Sequence, residues 1–140
     1  MTVLAFRDGV LAADTLVTFG GRKVGLTRKI IKTKDGWLAG GAGRLSAVTE
    51  YLKWVEQRDP DIAMKLDENF TGMLIAPNGE PFMVEDDLTL IQIKAPFYAE
   101  GSGADFAIGA MEMGASAEQA VQAAIKHSAN CGGKIQTVKL

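Results

Sequence analysis

The chain has 140 residues, 47% of them hydrophobic and 23% charged, with a formal net charge of −2. That length holds one domain with a sizeable core, and the near-neutral balance excludes an electrostatic case for nucleic acid or an anionic membrane. The single cysteine, Cys131, excludes an internal disulfide, and no apolar run approaches the roughly 20 residues of a membrane span, so a soluble cytoplasmic protein is expected.

Residues 3–6 and 10–13 flank Asp8-Gly9, a strong two-residue hairpin signal. Gly20-Gly21-Arg22-Lys23 reads as a loop. Residues 29–33 and 36–39 predict a second hairpin around Asp35, and Gly40-Gly41-Ala42-Gly43 leads into a helix with Leu45, Val48, Leu52 and Val55 on one stripe. Asp59-Pro60 predicts an N-cap and first-turn proline for a short second helix ending near Asn69. Residues 71–76 and 80–84 predict a third hairpin around Asn78-Gly79. Residues 87–93 alternate as a half-buried strand, and residues 96–99 add a further edge. Gly101-Ser102-Gly103 opens an alanine-rich helix ending near Gly114, and Ser116 with Gln119 forms a capping box for another over residues 117–129. Cys131-Gly132-Gly133 breaks that helix, and residues 134–140 close as a strand. Strands, two helices, strands, two helices, strand: the order predicts one layered α+β domain over residues 1–140, with sheets between helices.

Several chemistries are absent from the sequence. His127 is the only histidine, so no histidine metal cluster exists, and no Gly-x-Ser-x-Gly elbow accompanies it. The glycine run at 40–43 lacks the Lys-Ser/Thr of a phosphate loop, and Gly101-x-Gly103 lacks the third glycine of a dinucleotide fingerprint. Glu85-Asp86-Asp87 reads as a solvated turn. No cofactor and no metal are expected.

What remains is Thr2. Removal of Met1, usual before a small residue, leaves a threonine carrying a hydroxyl and a free amine, a nucleophile and base on one residue. The Asp8-Gly9 turn pairs Arg7 with Val10, Ala5 with Ala12, Val3 with Asp14 and Thr2 with Thr15, which makes Asp14 a diagonal neighbour of Thr2. The second hairpin puts Lys29 at one strand's start and Gly40 at its partner's end. A carboxylate, an ammonium and a glycine amide then gather round Thr2, the amide as donor to an oxyanion. Taken singly, Lys29 also reads as a solvated strand-end charge, Asp14 as a turn-side carboxylate, and 40–43 as a tight lead into a helix.

Ala12-Ala13-Asp14 after a hairpin, Arg28-Lys29-Ile30, residues 38–43 before a helix, Glu85-Asp86-Asp87-Leu88 and Gly101-Ser102-Gly103 together resemble the proteasome β-subunit and HslV-like peptidase family. The resemblance spans almost the whole chain and rests on the order and spacing of its motifs. It implies the four-layer αββα sandwich of N-terminal nucleophile hydrolases and hydrolysis of peptide bonds in unfolded polypeptides. It also implies homo-oligomeric rings and an unfoldase ATPase partner. By motif it implies Thr2 as nucleophile, Lys29 tuning it, Asp14 orienting Lys29, Gly40 giving the oxyanion amide, and Ser102 bonding the terminal amine. The first hairpin is two residues shorter in each arm than in HslV, which preserves the register and keeps Thr2 at the nucleophile's place. The chain departs from the family at Ser128, where an aspartate is usual three residues before Ser-Gly-Gly (here Cys131-Gly132-Gly133), and in a shortened second helix over 57–70. Three functions stay open: a threonine peptidase, a catalytically silent ring-forming or peptide-binding protein, and a small-molecule amidohydrolase on the same fold.

Overall fold

Asp8 and Gly9 take φ values of 52° and 75°, the positive pair that a two-residue hairpin turn requires, and close β1 (Leu4–Arg7) onto β2 (Val10–Ala13). The observed register, Arg7 with Val10 through Leu4 with Ala13, is the predicted one. The structure is a computed structural model and describes residues 2–57 and 65–140.

Gly20 and Gly21, both at positive φ, join β3 (Leu16–Phe19) to β4 (Arg22–Leu26). Sequence reading took this region only for a loop. The strands escape notice because β4 is exposed along its whole length and a bulge at Val17/Thr18 breaks the alternation.

β5 (Ile30–Lys32) pairs with β6 (Leu38–Ala42), which runs three residues beyond the predicted strand end. Glycine normally weakens a strand, yet here Gly40 and Gly41 are fully paired within it. Close packing is the reason. A Cβ on Gly40 would lie 2.8 Å from Ile30 Cγ2, and one on Gly41 would lie 3.0 Å from the Phe70 ring. Gly43, at φ 118°, makes the turn into α1 (Leu45–Gln57).

The helix predicted from Asp59-Pro60 falls largely outside the described residues. Its described end, 65–69, is not helical. The Leu66 N–H bonds to the Asp86 carbonyl at 2.7 Å, and the Asp67 carboxylate accepts from the Asn69 N–H at 3.0 Å, a local turn that competes with helix.

β7 (Thr71–Ile75) and β8 (Pro81–Val84) form the third hairpin. β9 (Leu90–Gln92) is shorter than the alternation predicts and is exposed. The segment before it closes as a turn, with Asp87 accepting from the Thr89 N–H and Leu88 at φ 69°. β10 (Phe97–Glu100) precedes α2 (Ala104–Glu112) and α3 (Ala117–His127), and β11 (Gln136–Lys139) ends the chain. The predicted capping box at Ser116 and Gln119 is made in both directions.

The protein is thus mixed α+β, with two larger antiparallel sheets. One has the order β10-β1-β2-β11 and the other β5-β6-β7-β8-β9; β3 and β4 form a separate pair. Alternation along β1 and β2 explains the layering. Ala5 and Ala12 turn to α2 and α3, in a cluster with Ala107, Met111, Ala120 and Val121. Leu4, Phe6 and Leu11 turn the other way, onto Ile30, Leu38, Met73 and Ile75 of the second sheet. The far face of that sheet carries Ala39, Leu74 and Val84 against Val48, Tyr51 and Val55 of α1. The stripe of α1 is therefore centred on Tyr51, whose hydroxyl donates to the Met73 carbonyl at 3.0 Å, while Leu45 sits 41% exposed.

Leu38 is fully buried between the sheets. Leu38→Ala should destabilise the protein by about 2–5 kcal/mol in urea unfolding, with the spread set by how far the layers close over the gap.

Candidate active site

Thr2 stands just before β1, Asp14 just after β2 and Lys29 just before β5. The hairpin register carries over one step past the strands: the Asp14 N–H donates to the Val3 carbonyl at 3.3 Å. The Asp14 side chain turns inward and is completely buried. Its Oδ1 accepts from Lys29 Nζ at 2.9 Å and from the Val3 N–H at 3.1 Å, and its Oδ2 accepts from the Gly132 N–H at 3.0 Å. Lys29 is 4% exposed, so the strand-end reading of a solvated lysine does not hold, nor does the turn-side reading of Asp14.

The backbone of Lys29 is fixed as well. Its N–H donates to Gln136 Oε1 at 3.1 Å, and Gln136 Nε2 donates to the Thr27 carbonyl at 3.5 Å. One side chain on β11 thus brackets the segment that delivers the lysine.

Thr2 is gripped from the other side by residues 101–103. The Thr2 N–H donates to Ser102 Oγ at 3.2 Å, the Ser102 hydroxyl donates back to the Thr2 carbonyl at 3.3 Å, and the Gly103 N–H donates to the same carbonyl at 3.2 Å. Glycine is required here. Gly101 has φ 96° and a Cβ on it would collide with the Thr2 carbonyl, while one on Gly103 would lie 2.8 Å from Cys131 Sγ. The Cys131 thiol lies near both Ser128 and Ser102 in a row of neutral groups, and burial pushes its ionisation up. Ser128 caps α3 and so joins this neutral chain from the position where the family resemblance expects a carboxylate.

A cleft of about 1020 Å³ opens beside Thr2, Lys29 and Ser102. Val17 and Phe19 of the β3–β4 hairpin form one wall, and Gly43 with Arg44 another.

Gly40 does not belong to the cleft. The Gly41 N–H donates to the Lys29 carbonyl at 3.2 Å, and antiparallel bonds alternate sides, so the Gly40 N–H turns to β7 opposite Met73. That amide is spent in the sheet. The strand's extension to Ala42 moves the free end of the glycine run to Gly43. The structure therefore brings Thr2, Asp14, Lys29 and Ser102 together and leaves Gly40 out. Sequence reading missed Gly132 as a donor to Asp14 and Gln136 as a bracket. The signal for Gly132 is a pair of glycines shortly after a helix, a pattern that by itself marks only a break.

The other sequence candidates stay ordinary. Asp87 is exposed and its hydrogen bonds from Thr89 hold its carboxyl below the usual range, as a solvated turn would. His127 is exposed and stacks on Phe106 at 6.1 Å. Among the described residues no group of three or more histidines, cysteines and carboxylates is placed to hold a metal, and no helix is long and apolar enough to cross a membrane. Met1 lies outside the described residues.

No family profile matches the chain, and no curated protein matches it. Two solved structures from Thiobacillus denitrificans are similar in fold. The protein BPH in complex with epoxomicin superposes with a TM-score of 0.73 at 19% identity, covering 99% of this chain and 97% of that one. A second structure of BPH gives 0.68 at 21% identity, covering 99% and 96%.

Asp14→Asn would leave the Lys29 ammonium buried without its counter-charge. It should destabilise the protein by about 3–5 kcal/mol in denaturant unfolding. An unchanged midpoint would mean that Lys29 reaches water instead.

Proposed function

We propose that the chain is a threonine peptidase of proteasome and HslV type, with Thr2 as nucleophile once Met1 is removed. The observation that carries this reading is the placement of Thr2, held by Ser102 and Gly103 at the edge of a cleft that is also lined by Lys29, itself paired with the buried Asp14. In this reading the helix–sheet–sheet–helix stacking is the αββα sandwich of N-terminal nucleophile hydrolases.

The Thr2 hydroxyl attacks the carbonyl carbon of a peptide bond while the Thr2 amine takes its proton. Charge collects on the carbonyl oxygen, where the Gly43 N–H replaces Gly40 as the proposed donor. Collapse breaks the C–N bond, and the amine's proton leaves with the departing peptide. Water, deprotonated by the same amine, then hydrolyses the threonyl ester. Lys29 supplies positive charge beside the hydroxyl, Asp14 holds Lys29 in place, and Ser102 orients the amine. Only the neutral amine accepts a proton, so activity should rise with pH through a pKa of roughly 7.7–8.0.

Epoxomicin, present in one of the similar structures, is a peptide epoxyketone. Such reagents close on a hydroxyl and its adjacent amine together, which supports testing this chain with the same compound. The methionine-free protein should gain one epoxomicin mass on Thr2. Thr2→Ala should lose all labelling and turnover. Thr2→Ser should keep part of both, since it loses only the methyl that restricts its rotamer. Intact-mass spectrometry decides, and an unlabelled Thr2 would sink the peptidase reading.

The neutral Ser128 favours a second reading, a silent ring-forming or peptide-binding protein. It predicts assembly with no labelling.

Both readings include self-association into rings, with unfolded polypeptide as substrate or ligand and an unfoldase ATPase as possible partner. Phe19, Val24 and Leu26 stand 76%, 65% and 58% exposed on the β3–β4 hairpin, an apolar surface suited to a second copy. Light scattering at micromolar concentration should give a mass several times that of one chain, and a monomer would remove this part of the proposal.

A further inference from the structure

Glu100 is the last residue of β10 and lies directly before the 101–103 segment that grips Thr2. On β10, Ala99 faces α2 and α3, whereas Tyr98 packs with the cluster between the two sheets. Glu100, two residues from Tyr98, shares its face and points between the sheets. It is 5% exposed and pairs in register with Leu4.

Across the gap, β7 presents Thr71 beside the Glu100 carboxyl, and beyond that sheet the Tyr51 hydroxyl of α1 is already bonded to the Met73 carbonyl. The Oε2 atom of Glu100 has no hydrogen-bond partner among the described residues. Among the described residues no cation is turned to it: Arg7 of β1 bonds the carbonyls of Met111 and Ala115 on the α2 side, and Lys29 is paired with Asp14. A carboxylate with one bare oxygen in a dry gap is strongly disfavoured, whereas a neutral acid is tolerated.

We propose that Glu100 is a positioning residue, a neutral acid wedged between the sheets that keeps the 101–103 segment in place on Thr2. The buried carboxyl fills the space between β10 and β7 beside Thr71, and Thr71 itself lines the cleft. Ionisation puts an unbalanced charge into the gap and drives it apart, loosening the hold on Thr2. Burial pushes the Glu100 pKa up to about 8, against a weaker opposing effect of the neighbouring Thr71 side chain. The Tyr51 and Tyr98 hydroxyls are also pushed up, chiefly by burial and further by the Glu100 charge.

The folded state holds this proton up to about pH 8, while the unfolded chain releases it near 4.5, the ordinary value for a glutamate. The native state therefore loses stability as pH rises between those values.

Glu100→Gln keeps the shape and cannot ionise, so it separates the effects. The melting temperature of the wild type should fall relative to Glu100→Gln as pH rises from 5 to 8, and the difference should level off above that. Parallel curves would overturn the proposal. Should the variant fail to fold, infrared titration of the wild type decides. A protonated carboxylic acid band should persist at neutral pH and vanish with a midpoint near 8, and its absence at neutral pH overturns the proposal.

The effect on turnover rests on the peptidase reading. The ratio of wild-type to Glu100→Gln peptidase activity cancels the rising limb of the amine, and it should fall about tenfold between pH 7 and pH 9 as the neutral fraction drops. A constant ratio overturns the positioning role. If neither protein hydrolyses peptides at any pH, the peptidase reading fails. Holding Thr2 is then judged by amide hydrogen exchange at Val3 and Gly103, which should accelerate in the wild type above pH 8 but not in Glu100→Gln.

Discussion

The ion pair between Lys29 and Asp14 is the constraint around which the rest is arranged. Two charges are removed from water at 2.9 Å separation, with side-chain exposures of 5% and 0%. Such a pair is tolerable only if the remaining lone pairs are met, and here the Val3 and Gly132 amides meet them. Replacing a buried pair with apolar side chains of similar volume is often neutral or stabilising, so fold stability alone is a weak reason to keep one. Specificity is the better account. A hydrophobic pair tolerates slippage, whereas this one fixes the ends of β2 and β5 and the turn after α3 to hydrogen-bond precision.

Small side chains make that precision possible. Sheets and helices come close enough to the pair because glycine stands where a Cβ has no room, as at Gly40 against Ile30 and Gly103 against Cys131 and Val3. The layer under α2 and α3 is built largely of alanine for the same reason. The neutral side chains of Ser102, Cys131 and Ser128 lie beside it, so next to Thr2 stand a carboxylate that is already paired and several hydroxyl or thiol groups.

Much of this was legible in the residues. Asp8-Gly9 fixed the first hairpin and its register, since only a positive-φ pair closes that turn, and register alone brought Asp14 to Thr2. Ser116 and Gln119 marked the start of α3 through paired local hydrogen bonds. The failures have a common cause in tertiary packing. Glycine run 40–43 reads as a break because glycine has low strand preference, yet neighbours on both faces demand it in β6, and the oxyanion assignment to Gly40 failed with that strand end. The burial of Lys29 was equally invisible, because nothing local to residue 29 reveals that Gln136, over a hundred residues later, will bracket it. β3 and β4 were missed because Phe19, Val24 and Leu26 face outward and β4 is exposed throughout, which leaves no half-buried alternation.

The lone pairs of Asp14 carry a consequence for the order of events during synthesis. One oxygen is met from residues 3 and 29, the other from residue 132. A nascent chain that has exposed only its first hundred residues on the ribosome has Thr2, Asp14 and Lys29 but lacks Gly132, Gln136 and the Cys131 thiol. Its lysine and aspartate stay hydrated, because closing them early leaves a bare oxygen in the interior. The arrangement around Thr2 is therefore sealed from the far end of the polypeptide, so its geometry is set only after translation has passed the last helix.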